Sequence, residues 1–217
     1  MHTSRAWPLL SCCVLAGACG FTAIDGSGKV VTESRPVAGF TAVRLRGSGR
    51  VVIEQAGTES LTVTTDDNLL PFIQSEVKGN ILELGPREWP TSLNPTRDIV
   101  FTLHVKTLEA LDISGSGDVE AKGLSPDTLR LEISGSGAAS VQGSANDLNL
   151  TISGSGAYNG AQLASRHATA QVTGSGSAVI AASETLIADV TGSGSVQYIG
   201  DPKVTQQITG SGSVLRR

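Results

Sequence analysis

The chain has 217 residues, 26 of them glycine, with 4% aromatic residues and a formal charge of −4. A mildly acidic chain with scattered Lys and Arg lacks the basic stripe that nucleic acid requires, so no nucleic-acid partner is expected. Its length suits one domain. Its few aromatics place the core in thin layers of Val, Ile, Leu and Ala.

Residues 1–18 read as a signal peptide. Arg5 gives a weakly basic start, Leu9 to Leu15 a short apolar core, and Ala16-Gly17-Ala18 the small residues before Cys19. The apolar core is shorter than the roughly 20 residues that span a bilayer. Leu15-Ala-Gly-Ala-Cys19 also resembles a bacterial lipobox. Cys12 and Cys13 lie inside the leader, which leaves Cys19 as the sole thiol of the mature chain, a liability if exposed and free in an oxidising compartment. Lipid attachment at Cys19 and anchorage to a membrane are therefore expected, a soluble periplasmic protein being the alternative. Gly20, where inner-membrane retention is associated with Asp in some bacteria, points to the outer membrane. Loss of the leader removes Arg5 and no acid, so the charge moves from −4 to −5.

Residues 19–35 read as a lipidated cysteine and polar tether, and 36–217 as the folded domain. From Phe40 apolar alternation begins: Val43, Leu45; Val51, Ile53; Leu61, Val63; Val77, Ile81, Leu84; Ile99, Phe101, Leu103, Val105. These are strands bounded by turn signals at Gly57, Asp66-Asp67-Asn68 and Gly79-Asn80. Gly85 to Pro95, with three prolines and Trp89, is predicted to loop out of the stack.

Six copies of one phrase follow, from Ile113-Ser-Gly-Ser-Gly117 to Ile208-Thr-Gly-Ser-Gly212, with first glycines 20, 19, 20, 18 and 18 residues apart. That period marks a solenoid of stacked coils: an all-β, single-domain, right-handed parallel β-helix with coils of about 18–20 residues. Leu45-Arg-Gly-Ser-Gly49 is a divergent copy where the stack should begin. Period two places Leu111, Ile113, Gly115, Gly117, Val119 and Ala121 inward, and Asp112, Ser114, Ser116, Asp118 and Glu120 outward. Stacking then files Ile113, Ile133, Ile152, Val172, Val190 and Ile208 into one inner column. The structural glycines Gly115, Gly117, Gly135, Gly137, Gly154, Gly156, Gly174, Gly176, Gly192, Gly194, Gly210 and Gly212 are expected to face inward at a tight bend. The outward Ser and Thr should form hydroxyl ladders along the stack.

Together, Arg35-Pro-Val-x-x-Phe40, the Gly-Ser-Gly ladder, Pro202 in Tyr198-Ile-Gly-Asp-Pro202 and the last Gly210-Ser-Gly212 resemble the putative auto-transporter adhesin family with a head GIN domain. The resemblance covers about residues 36 to 214. It implies a right-handed parallel β-helix, often exported and membrane-anchored, with a role in adhesion and no active-site residues to carry over.

Chemistry in the repeats finds little support. A phosphate cradle needs a helix after its glycines, and strand residues follow every copy. Asp112, Asp118 and Glu120 crowd one coil, but neighbouring coils carry Ala138, Ser140 and Gln142. His104 and His167 have no partner at metal-ligand spacing. No cofactor, metal or catalytic residue is expected, and Asp66-Asp67-Asn68 is a turn before it is a cation site. The leading expectation is a non-enzymatic envelope lipoprotein whose β-helix serves adhesion, binding or envelope structure, with an envelope protein or glycan as ligand. The alternatives are a carbohydrate-active enzyme, lyase or hydrolase, on the same fold, and a self-assembling scaffold. The terminal coil looks open, with Arg216 and Arg217 as charges that deter pairing, so a monomer or weak self-association is expected.

Overall fold

The computed structural model describes residues 23–87 and 92–217; the predicted signal peptide, Cys19 and Trp89 lie outside the described residues. The first half holds β1 (Ala23–Asp25), β2 (Val30–Arg35), β3 (Ala42–Gly47), β4 (Arg50–Gln55), β5 (Ser60–Asp66), β6 (Ile73–Lys78), β7 (Ile81–Pro86), β8 (Ser92–Asn94) and β9 (Val100–Val105). The second half holds β10 (Ala110–Gly115), β11 (Asp118–Leu124), β12 (Thr128–Gly135), β13 (Ala138–Gly154), β14 (Ala157–Gly174), β15 (Ser177–Gly192), β16 (Ser195–Ile199), β17 (Lys203–Gly210) and β18 (Ser213–Arg216). One 3-10 turn, Leu70–Phe72, interrupts them.

From β10 onward the strands stack in parallel, and Gly47, Gly115, Gly135, Gly154, Gly174, Gly192 and Gly210 stand in one file. The expected solenoid is thus present, and Leu45-Arg-Gly-Ser-Gly49 is a true copy of the phrase. The long strands β13 to β15 turn corners within a coil: β13 pairs with β11 through Ala138–Val141 and with β12 through Asp147–Gly154. The inner column is Leu45, Ile113, Ile133, Ile152 and Val190 with Val172, all buried.

The bend explains the phrase, and it corrects the expected facing of half its glycines. The first glycine of each of the six later copies has φ between +110° and +125°, and Gly47 has +81°, a range that side-chain-bearing residues rarely occupy. Gly154 is exposed rather than inward. A Cβ there would still lie 2.6 Å from the carbonyl oxygen of Gly135 in the preceding coil. The second glycine is the inward one. A Cβ on Gly156 would lie 2.5 Å from Cγ2 of Ile133, and Gly176 stands in the same relation to Ile152 at 2.6 Å. Each β-branched side chain is therefore a knob seated in the glycine hole of the next coil. Through the bend the backbone ladder continues, with Ser155 N donating to Gly135 O at 2.9 Å and Ala157 N to Gly137 O at 3.0 Å.

Two expectations about the first half need correction. The predicted tether is folded from Ala23: β1 pairs with β8, and β2 pairs antiparallel with β5. The stack also does not begin at Leu45, because β7 lies parallel to β3 on its outer side and β9 parallel to β4. Antiparallel β5 and β6 then cover β9 and β7. Local alternation looks alike for parallel and antiparallel partners, so this strand order is not visible in the residues. The loop predicted from Gly85 to Pro95 starts later than expected: Gly85 and Pro86 still belong to β7 and pair with Gln74 and Ile73, whereas β8 lies outside the main sheet and pairs with β1.

Side chains fasten this cap. Arg35 donates to the carbonyl oxygens of Ile73 at 2.7 Å and Leu70 at 2.8 Å, which accounts for its place in the Arg-Pro-Val phrase. Glu83, nearly buried, accepts from Lys78 at 2.7 Å, Arg46 at 3.2 Å and Gln74 at 3.2 Å. Its carboxyl is held below the usual range, first by the Lys78 hydrogen bond and then by Arg46 and Arg44, against desolvation.

Tyr158 fills the interior between Ala139 and Ala178, above Gly160, and its hydroxyl has no hydrogen-bond partner among the described residues. Burial pushes its pKa up. Tyr158→Phe removes an unpaired buried polar group and should raise the unfolding free energy by about 1 kcal/mol. A denaturant midpoint lower than the wild type's would show that the hydroxyl has a partner. Gly154→Val should cost about 1–3 kcal/mol through backbone strain. Gly156→Ala should cost a similar amount through its knob, so in a double-mutant cycle Ile133→Ala should relieve part of the Gly156→Ala penalty. Strict additivity would remove the knob-in-hole contact.

Candidate functional site

The interior is filled, so a ligand must meet the outer surface. Two features there repeat from coil to coil. The outward files Ser114, Ser134, Ser153, Thr173, Thr191 and Thr209 run beside the bend serines Ser116, Ser136, Ser155, Ser175, Ser193 and Ser211. The expected ladder of hydroxyl bonds does not form: among the described residues these side chains make no hydrogen bond to one another, and the stacking bonds come from backbone N–H groups. The hydroxyls are left to solvent or to a ligand.

The second feature is a groove of about 670 Å³ where successive coils turn a corner. Ser125-Pro126-Asp127, Ser144-Ala145-Asn146, Ala164-Ser165-Arg166, Ala181-Ala182-Ser183 and Ile199-Gly200 line it. Pairing registers shift at several of these corners, which draws the chain away from ideal strand geometry and opens the trough. Five coils at about 4.8 Å spacing give it a length of roughly 19 Å. Its floor is small and mostly apolar, and much of its polar lining is already paired. Ser165 Oγ donates to Ala181 O at 2.6 Å, Ser183 Oγ to Ser165 O at 3.3 Å, and Arg166 Nε to Glu184 at 2.7 Å. No motif or periodicity marks this groove, because small residues at a corner carry no pattern of their own.

A second groove, about 640 Å³, collects Arg50, Asp118, Glu120, Ser140, Asn159, Ser177 and Arg217. The structure divides the acidic trio that crowds one coil in the sequence. Asp112 on β10 accepts from Arg44 at 2.7 Å, whereas Asp118 and Glu120 lie beyond the bend on β11. Lys122, 2.7 Å from Glu120, holds that carboxyl below its usual range. Glu59, Asp66, Asp67, Glu83 and Glu184 are likewise lowered by donors and cations. A general acid needs the opposite shift. His167 meets Thr185 at 2.9 Å and Glu184 at 3.6 Å, and no group of three or more His, Cys, Asp or Glu suited to a metal occurs among the described residues.

The Asp66-Asp67-Asn68 turn proves to be a clamp. Asp66 accepts from Thr96 N at 2.9 Å, Thr96 Oγ1 at 2.7 Å and Gly28 N at 2.8 Å, while Asn68 accepts from Ser27 N and donates to Asp25 O. These bonds, the Thr96 amide first, hold the Asp66 carboxyl below its ordinary pKa. Such a group stabilises the fold above the unfolded pKa of about 4, and the contribution disappears as pH falls through the lowered folded value. Asp66→Asn should therefore be less stable than wild type at neutral pH, with the difference shrinking below about pH 4. Denaturant titrations across pH would check this, and a pH-independent difference would sink it.

With this geometry the comparisons agree. The profile of the family described as "Putative auto-transporter adhesin, head GIN domain" matches residues 39–202. A crystal structure of a putative adhesin from Bacteroides fragilis is 25% identical, with TM-score 0.72, covering 89% of this chain and 100% of that one. A putative adhesin from Parabacteroides distasonis, 24% identical with TM-score 0.59, covers 90% of this chain and 100% of its own. A second protein from that species, described as a putative lipid binding protein, shares the fold at 23% identity and TM-score 0.53, with 90% of this chain and 100% of its own covered. No curated protein matches the chain.

Proposed function

The chain belongs to the putative auto-transporter adhesin, head GIN domain family, and from that premise we propose a non-enzymatic envelope lipoprotein. Lipid on Cys19 holds it to the outer membrane, and its rigid solenoid is the adhesive or binding surface. The observation that carries the reading is the corner groove: a long, shallow, coil-repeated trough in which Arg166 is paired with Glu184 and Asp127 accepts from Asn146. That surface suits contact with an extended envelope polymer or protein, made from many small interactions. It suits bond cleavage poorly, since each resolved carboxyl shift favours the ionised form.

Two measurements test the two parts of this reading. Cys19→Ser should move the protein from the membrane to the soluble periplasmic fraction; equal partitioning of both forms would remove the anchor. For the surface, the lipid-free domain is screened against glycans, peptidoglycan and envelope proteins. Ala164→Trp, which fills the groove without touching the inner columns, should weaken any ligand found by roughly tenfold or more, the scale of a lost central contact. An unchanged affinity would move the site elsewhere.

A further inference from the structure

The two ends of the stack differ in a way that assigns them different work. At the cap end the edge strands carry charges: Glu33 and Arg35 on β2, Glu76 and Lys78 on β6. Such charges block strand addition. At the other end, among the described residues, β17 pairs only with β15, and β18 only with β16. The run Val204 to Gly210 on β17 contains no charge, and Arg216, expected as a guard, sits on β18 and is 3.3 Å from Asp201. Ile208 is a knob with no following glycine among the described residues, and it is 39% exposed where Ile113, Ile133 and Ile152 are buried.

We propose that this open coil is a homophilic contact, pairing tip to tip with a second copy of the chain on an opposing surface; this rests on the Cys19 anchor of the preceding reading. Only residues 20 to 22 separate Cys19 from β1, a reach of about 14 Å at full extension. The anchor therefore lies near the cap end. From β2 the sheet runs through β5, β9, β4, β11, β13, β14, β15 and β16 to β18, nine strand spacings or about 43 Å away from it. A twofold axis through Gln206 pairs β17 antiparallel with its copy, setting Val204 opposite Ile208 and Thr205 opposite Gln207. Every inward residue then stays inward, and Gln206 meets its own counterpart. This contact is closed, because the charged cap ends cannot extend it, and it places the two anchors at opposite ends of the pair. It joins two membranes rather than two neighbours in one. The coil end offers Lys203 to Arg216, fewer residues than the 20–30 per side of a stable interface. Single pairs are thus weak, and many on one surface act together.

The chain from Cys19 onward, coupled through that thiol to maleimide-lipid phosphatidylcholine vesicles, tests this by light scattering. Protein-bearing vesicles should cluster with one another and leave bare vesicles unclustered. Ile208→Lys should slow clustering at least tenfold, while Ile187→Lys, at a 51% exposed position on the outer face, should not. In solution, Gln206→Cys in a Cys19→Ser background should form a disulfide-linked dimer under mild oxidation, and Gln171→Cys should not. No clustering, recruitment of bare vesicles, equal clustering by the Ile208 variant, or no selective Gln206→Cys dimer would each overturn the proposal. Chemical coupling replaces the cellular anchor, so a failure of lipidation in cells would leave these results standing.

Discussion

The structure depends on how closely two backbones can pass at one bend. Parallel strands stack at about 4.8 Å, and each coil must turn there without opening that spacing. The phrase meets this with two glycines of different function. The first accepts a backbone conformation that a Cβ would strain, directly above the carbonyl of the glycine beneath it. The second gives up its side chain so that an Ile or Val methyl from the coil below can occupy the space. Missing Cβ atoms at one level thus become packing contacts at the next. The same period of two that buries Ile and Leu sends Ser and Thr outward, so the surface files are a by-product of the bend.

A stack of this kind has two ends that its repeat cannot finish. The chain solves one by leaving sequence order: after the first coil it builds β5 to β9 outside that coil and then returns to β10. Over its buried apolar residues, among them Leu61, Ile73, Leu82 and Phe101, the cap is fastened by polar contacts, with Glu83 among Lys78, Arg46 and Arg44, Asp66 on Thr96 and Gly28, and Arg35 on two carbonyls. Those contacts come from segments about 30 to 40 residues apart, or from the two strands of one hairpin. They therefore make the N-terminal strands part of the domain, where Gly26-Ser-Gly28 suggested a polar tether.

The repeating half was legible in the sequence because its information is local and redundant. Six copies vote on the same facing, and the columns through Leu111 and Ile113 follow from alternation alone. The error at Gly154 arises where alternation stops meaning anything: a glycine has no side chain to report its face, and a positive φ breaks the two-residue period. The cap was legible only as strands. Its order depends on which edge each strand joins, and its clamps pair single residues across long separations, as Asp66 does with Thr96. The corner groove was invisible for a third reason. It is defined by small side chains and register shifts, so its shape belongs to the stacked backbone and not to any residue type.

These differences bear on what such a protein can do. The inner columns leave no room for a pocket, and Tyr158 consumes what Ala139 and Ala178 give up. Chemistry would have to be grafted onto an outer face whose residues repeat with the coil, yet catalysis needs an asymmetric cluster with pKa values pushed apart. Here the carboxylates with resolved shifts are all drawn toward the ionised state by their own cations and amides. Repetition favours the opposite kind of activity, in which weak and similar contacts recur along one axis and gain strength by number. A rigid stack also fixes the distance between its two ends, so the uncharged edge of β17 is held several tens of ångströms from β2, about eight strand spacings. The adhesive role proposed above is one that such a fixed separation would serve.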